Sequence, residues 1–285
     1  MRVLVCGVNY GRRYLEVVGR AAERYELAAI LARGSAAATL AGIRWRVPVV
    51  RGVTAVPAGV EAAFAAMGPE GEEAVLELLH RGVHVLCEHP VGAAFVARAL
   101  EAARQSGAVF HVNAHFPMLS APRAFIARCA ERTGEERPAY VQAALTPRLL
   151  YALCDILHHA GLAGAVELQR VPRSGGSFRT LTGTIGGVAA TLEVEPLRPD
   201  GSAENVVDCR ITVGFRGDVL TLPGLGACGE PMARERFDEE RLRAIGASMD
   251  ALVGQARGGA VPAGQTPEHL LSVSRAADAA FRALA

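Results

Sequence analysis

The chain has 285 residues, of which 51% are hydrophobic and 21% charged, and its formal net charge is +1. That length suits two packed domains, and the balanced charge argues against a broad electrostatic footprint for nucleic acid or an anionic membrane. The opening Met1-Arg2-Val3-Leu4-Val5-Cys6 runs into glycine too early for a signal-peptide core, and no apolar run approaches the roughly 20 residues that span a bilayer.

The first 115 residues alternate short apolar runs with helix-like stretches. The pattern predicts strands over 2–6, 27–31, 47–50, 62–66, 84–87 and 109–112, and helices over 12–25, 71–81 and 93–106. Strands separated by helices of this length imply a parallel sheet with right-handed crossovers. There is no internal repeat and no low-complexity tail, and the Ala36-Ala37-Ala38 run is too short to matter. Helical patterns follow over 117–133 and 149–159. Strands are then predicted over 166–171, 177–184, 188–194, 206–215 and 219–222. Gly175-Gly176, Gly186-Gly187, Pro199-Asp200-Gly201 and Arg216-Gly217-Asp218 punctuate them, which implies antiparallel hairpins. Helices over 238–256 and 267–284 close the chain.

The fold expected is α/β: a Rossmann-type, doubly wound parallel sheet over residues 1–115, then an α+β domain with a large open, mainly antiparallel sheet over 116–285. The last helix is expected to pack back on the first domain. The run 177–194 is apolar on both parities, which predicts an open sheet face covered by a second subunit, hence a homodimer. Six cysteines stand at 6, 87, 129, 154, 209 and 228 without a Cys-x-x-Cys pair. They predict a reducing, cytoplasmic setting with no disulfide framework and no metal site. The chain contains no lysine; every basic side chain is arginine.

The first strand ends in Gly7-Val8-Asn9-Tyr10-Gly11-Arg12-Arg13 and runs into a helix. Glycine at such a bend lets the backbone approach a pyrophosphate, which the helix N-terminus then receives. Asn9 stands where the usual fingerprint has its second glycine, and its tolerance of left-handed backbone keeps the turn accessible. A dinucleotide held by Gly7, Asn9, Tyr10, Gly11 and Arg12 is one reading; a tight strand–helix turn without a ligand is the other. The second strand ends in Leu31-Ala32-Arg33-Gly34-Ser35, with no carboxylate for a ribose 2′-hydroxyl. Arg33 and Ser35 can instead donate to a 2′-phosphate, which selects NADPH, unless Arg33 is a solvated surface arginine. Met67 and Gly68, after the fourth strand, are expected to border the nicotinamide ribose.

The segment Leu78-Leu79-His80-Arg81-Gly82-Val83-His84-Val85-Leu86-Cys87-Glu88-His89-Pro90 resembles the Gly-Lys-His-Val-Leu-Cys-Glu-Lys-Pro region of the glucose–fructose oxidoreductase and inositol dehydrogenase superfamily. Asp155 and His159 share that superfamily's Asp-x-x-x-His spacing, and the stretch from Met249 to Ala280 resembles its C-terminal helix pair. The superfamily's Glu-Lys-Pro is Glu88-His89-Pro90 here. With the Gly7–Leu15 opening and Arg148-Leu149-Leu150-Tyr151, it resembles the thiazolinyl imine reductase branch. That resemblance implies NADPH-dependent reduction of a thiazoline to a thiazolidine on a carrier protein of siderophore or related nonribosomal peptide assembly. It also implies Glu88 and Asn113 near the cofactor, and His115, Tyr151, Asp155 and His159 facing the reaction from the second domain.

Reducing a C=N bond needs hydride at carbon and a proton at nitrogen, and histidine supplies a proton near neutral pH without a large shift. His89 is therefore a proton donor or substrate-orienting group, or else it only shapes a turn in which Pro90 is cis. The branch is expected to carry tyrosine where this chain has Phe116, which leaves His115, Tyr151 or His159 to substitute. Asp155 and His159, at i and i+4, are expected to pair. A sugar, cyclitol or small-carbonyl dehydrogenase shares the fold and cofactor, and the apolar Ala144-Leu145-Thr146-Pro147 and Leu149-Leu150 offer a sugar little. A nucleotide-sensing regulator without turnover is the reading from another class.

Overall fold

The computed structural model describes residues 1–172, 178–197, 209–225 and 231–285, with side chains from 235 onward in the last stretch. The chain divides into two compact units, Met1–Ala114 with Leu242–Leu270, and His115–Arg241 with Leu271–Ala285.

The first unit is built on six parallel strands, β1 (Arg2–Cys6), β2 (Glu26–Leu31), β3 (Val49–Val50), β4 (Ala62–Ala65), β5 (His84–Glu88) and β6 (Phe110–Asn113). Their order is β3-β2-β1-β4-β5-β6, so the connections reverse direction between β1 and β4. A crevice at such a reversal is where open α/β sheets bind ligands. Val3, Leu4, Val5 and Cys6 are fully buried, as are Ala62, Ala63 and Phe64. Burial on both parities is why these strands read as continuous apolar runs.

Four helices connect the strands: α1 (Arg12–Arg20), α2 (Ala36–Trp45), α3 (Glu72–His80) and α4 (Ala93–Ser106). The first stops five residues before its expected end, because Ala21 leaves the helix at φ −123° and ψ 41°. Tyr25 then turns its ring edge-on to Phe64, 5.8 Å away, and Phe64 stacks on Tyr14 at the same distance. Helix α2 was not expected. It buries only the small Ala38 and Gly42, while Leu40 and Ile43 face outward, so it lacks an apolar stripe to betray it. The long helix α7 (described from Pro231 to Ala256) adds Leu242, Ile245, Met249 and Leu252 to this core.

The second unit begins with α5 (Ser120–Glu135), β7 (Tyr140–Leu145) and α6 (Leu150–His159). The strands β8 (Val166–Val171), β9 (Arg179–Ile185), β10 (Val188–Val194), β11 (Arg210–Phe215) and β12 (Asp218–Leu222) follow, and α8 (Pro267–Leu284) ends the chain. The sheet order is β12-β11-β7-β10-β9-β8. Gly186-Gly187 and Arg216-Gly217 close the two-residue hairpins that the sequence predicts. The central strand, β7, escaped prediction: Tyr-Val-Gln-Ala-Ala-Leu is alanine-rich, and alanine is a poor strand former. It pairs parallel with β10 and antiparallel with β11, making the sheet mixed and mostly antiparallel.

One face carries Val141, Ala143, Leu145, Leu181, Leu192, Ile211 and Val213, all buried. The opposite parity carries Gln142, Ala189 and Arg210, which are exposed, and Thr182, Thr191 and Thr212, which are half-buried. The expectation of apolar residues on both parities therefore fails at the threonines. Cys6, Cys87, Cys129, Cys154 and Cys209 are buried free thiols. Cys228, Gly175-Gly176, Pro199-Asp200-Gly201 and the predicted strand residues 177 and 206–208 lie outside the described residues. Among the described residues, no helix is long and apolar enough to cross a membrane.

Candidate active site

The ends of the parallel strands β1, β2, β4, β5 and β6 deliver the site of the first unit. After β1 the backbone turns at Gly7, whose φ is +88°, and its N–H donates to the Leu31 carbonyl at 2.8 Å. A Cβ on Gly7 would lie 2.4 Å from the Ala66 carbonyl oxygen, and one on Gly11 would lie 2.0 Å from that of Gly7. The bend thus folds upon itself in a way that admits only glycine at both places. Helix α1 then starts with no side-chain cap and no acidic residue in its first turn, which Arg12 and Arg13 occupy. Orphan N–H donors flanked by arginine fit an anionic pyrophosphate.

Asn9 is exposed, and among the described residues Arg46 is the one non-glycine with positive φ. The left-handed residue of the turn is Gly7, so Asn9 does not need the conformation expected of it. Tyr10 is half-buried, its ring edge-on to Tyr14 at 6.4 Å.

At the end of β2, Arg33 is 84% exposed and its guanidinium pairs with Glu70. The Ser35 hydroxyl caps α2 by accepting the Ala38 N–H at 3.2 Å, which leaves its own proton to donate. Arg51, which sequence reasoning missed, approaches here instead. A Cβ on Gly34 would lie 2.8 Å from Arg51 Nε. Its position directly after the short strand β3 was the available signal.

The reactive corner lies at the ends of β5 and β6. Glu88 Oε2 accepts the Tyr14 hydroxyl and the Asn113 side-chain N–H, each at 2.7 Å. Glu88 Oε1 faces His89 Nε2 at 3.6 Å, and the two side chains are only 10% and 6% exposed. The His89–Pro90 peptide is cis, as the alternative reading of this turn proposed. Burial and the Glu88 carboxylate push the Tyr14 hydroxyl well above its ordinary pKa, so it remains a donor. Asn113, expected at the cofactor, is fully buried and holds Glu88. Tyr14 went unassigned although it lies in the opening motif. Burial also pushes the Cys6 and Cys87 thiols up, which keeps them protonated and inert. Met67 and Gly68 line a small cleft with Cys87, Glu88 and Pro90. Gly68, at φ +66°, has open space where a Cβ would stand.

The other candidates belong to the second unit. His115 is fully buried, tilted over Phe116 with ring centroids 4.3 Å apart. Its Nε2 accepts Arg241 Nε–H at 3.3 Å. A ring nitrogen that accepts from guanidinium carries no proton to give, which counts against His115 as the substitute donor at that atom. Tyr151 is 1% exposed in the core of α6. One turn further along that helix, Asp155 Oδ1 lies 3.6 Å from His159 Nε2, the pairing that their spacing predicts. The candidates thus form two sets, one around Glu88 and His89, the other along α6 and the residues near Phe116.

Residues 1–114 match the model of an oxidoreductase family with an NAD-binding Rossmann fold, GFO/IDH/MocA. No curated protein sequence matches the chain significantly. Several solved structures share its fold from end to end. The myo-inositol dehydrogenase of Lactobacillus casei, in complex with NAD(H) and myo-inositol, is 18% identical with a TM-score of 0.77, covering 100% of this chain and 94% of that one. The apo scyllo-inositol dehydrogenase of Lactobacillus casei is 12% identical with a TM-score of 0.78, covering 99% and 95%. The WlbA dehydrogenase of Bordetella pertussis, in complex with NADH and UDP-GlcNAcA, is 13% identical with a TM-score of 0.72, covering 99% and 95%. These neighbours are dehydrogenases and lend no support to the narrower resemblance to thiazolinyl imine reductases. Residues 1–114 thus match the NAD-binding Rossmann domain of that oxidoreductase family, and the solved structures share the fold of the whole chain.

Proposed function

We propose that the chain transfers a hydride between NADP(H) and a small carbonyl or alcohol substrate of the sugar or cyclitol kind. His89 moves the substrate's proton. The observation that carries this reading is the Glu88–His89 pair at the end of β5, its carboxylate fixed by Tyr14 and Asn113. When bound, the nicotinamide supplies or accepts the hydride. The glycine bend at Gly7 and Gly11 and the open start of α1 hold the pyrophosphate, and Arg33 faces the phosphorylated ribose. Glu88 orients the imidazole, which exchanges a proton with the substrate's oxygen near neutral pH. The dehydrogenase neighbours support this substrate class through fold alone.

One observation favours a second reading, reduction of a C=N bond on a carrier-bound thiazoline. The chain has no lysine, so the proton of a sugar hydroxyl cannot be handled by the residue that the resembling superfamily uses, whereas imidazolium suits an imine nitrogen. Absorbance at 340 nm separates the two. Polyols and sugars with NADP⁺ should produce NADPH under the first reading, and a hydroxyphenyl-thiazoline thioester should consume it under the second. Replacing His89 by alanine should lower turnover about 100-fold or more while NADPH still binds. Wild-type turnover in that variant would remove His89 from the chemistry. Binding of NADPH without turnover of either substrate class would leave the sensing regulator.

A further inference from the structure

We infer that the adenosine end of the nucleotide site is a two-arginine clamp for a phosphomonoester, formed by Arg33 and Arg51 and gated by Glu70. The inference rests on the NADP(H) reading and deepens it. Strand β3 delivers Arg51 to this place. Val49 and Val50 pair with Ile30 and Leu31, and Ala32 N–H donates to the Val50 carbonyl at 2.9 Å. The residue after Val50 therefore stands beside the loop that follows β2. That loop turns at Gly34, where φ is +86°. A Cβ there would meet Arg51 Nε, Nη2 and Cζ at 2.8, 3.0 and 3.1 Å. The guanidinium lies against the one residue of the loop that has no side chain to exclude it.

Arg33 is the immediate neighbour of Gly34, so two guanidinium groups serve one turn that contains no carboxylate of its own. A phosphomonoester dianion matches that pair, since guanidinium donors in fork geometry bind phosphate oxygens with charge-assisted hydrogen bonds. Ser35 is engaged as the cap of α2. The opposing charge comes from elsewhere: Glu70, in the turn Pro69–Gly71 after β4, reaches Arg33. The two side chains are 84% and 68% exposed, and an ion pair so open to water is held weakly. A phosphate is thus able to take Arg33 from Glu70, while a bare ribose hydroxyl is not. Glu70 opposes the phosphorylated nucleotide and is indifferent to the unphosphorylated one.

Calorimetric titration of the intact protein with NADPH, NADH and adenosine 2′-monophosphate tests the clamp without turnover. Arg51→Ala should weaken NADPH and adenosine 2′-monophosphate at least about tenfold and leave NADH within twofold. Arg51→Lys should recover only part of that loss, because the fork is missing. Glu70→Gln should tighten NADPH about two- to fivefold with NADH unchanged. Arg51→Ala that leaves NADPH untouched, or weakens both nucleotides equally, overturns the clamp while the proposed reaction stands. Equal binding of NADPH and NADH by the unaltered protein overturns the NADP(H) reading and the clamp together.

Discussion

The parallel sheet of the first unit is buried on both parities, and all its strands run to the same rim. The mixed sheet of the second unit packs one parity into a core and leaves threonine and glutamine on the other, and its strand ends alternate. In the first sheet, the Gly7 turn at the end of β1 bonds to the end of β2, and Glu88 and Asn113 at the ends of β5 and β6 bond to each other. In the second, the candidate side chains come from α6 and the short turn at Phe116, not from strand ends. A uniform strand direction gathers backbone turns into one crevice, whereas an alternating one supplies a wall.

The sharpest way to break this contrast is a matched pair of glycine substitutions. Gly11→Ala puts a methyl 2.0 Å from the Gly7 carbonyl oxygen, and Gly183→Ala puts one 1.9 Å from that of Glu167, between β9 and β8. Both overpack, at a cost of about 1–3 kcal/mol or more. Gly11→Ala should weaken NADPH binding about 100-fold in titration. Gly183→Ala should lower the melting temperature yet keep the NADPH dissociation constant within about threefold. Equal loss of binding in both would mean that the two sheets do not divide wall from crevice.

A smaller effect is expected at the edge of the first sheet. The Gln265 amide accepts the Val112 N–H and donates to the Val112 carbonyl, both at 2.9 Å, at a fully buried residue. Gln265→Ala should destabilise the protein by about 1–3 kcal/mol in urea unfolding, because the buried Val112 N–H loses its partner while the Val112 carbonyl keeps only the Ala114 N–H. A change below about 0.5 kcal/mol would show that water replaces the amide.

The mildest test is by acid. Burial lowers the pKa of His84 and of His111 below the ordinary 6.5. Both fold neutral: His84 Nδ1 accepts the Val109 N–H at 3.0 Å, and His111 lies 2.7 Å from Gln255 Oε1. A base whose folded pKa is depressed contributes its full stability above the unfolded value and loses it below. Melting temperature should therefore fall as pH drops from about 6.5 toward the lower folded values. Amide exchange at Val109 should quicken over the same window, and His84→Gln should flatten part of the fall. An unchanged Val109 rate would assign the acid sensitivity elsewhere.

Much of this was legible because it is local. Strand β1, helix α4 and the pairing of Asp155 with His159 follow from periodicity and spacing alone. The glycine bend was readable because conformational need leaves its mark in residue type. Strand β7 was not, since its alanines carry no strand preference and its place is set by β10 and β11. Helix α2 hid because its large aliphatic side chains, Leu40 and Ile43, face water. Arg51, Tyr14 and Gln265 went unassigned for a common reason. Each acts on a partner distant in sequence: Gly34, Glu88 and Val112, respectively.

The amide of Gln265 has one more consequence. Sheets usually guard against fibril-like growth with charge, proline or a bulge along their outermost strands. Here one margin is β3, only two residues long, and the other is sealed at Val112 by a side chain that imitates a neighbouring strand. Replacing Gln265 by alanine would unzip that seal. The sheet would then be open to recruiting a second molecule, so insolubility would precede any loss of catalysis.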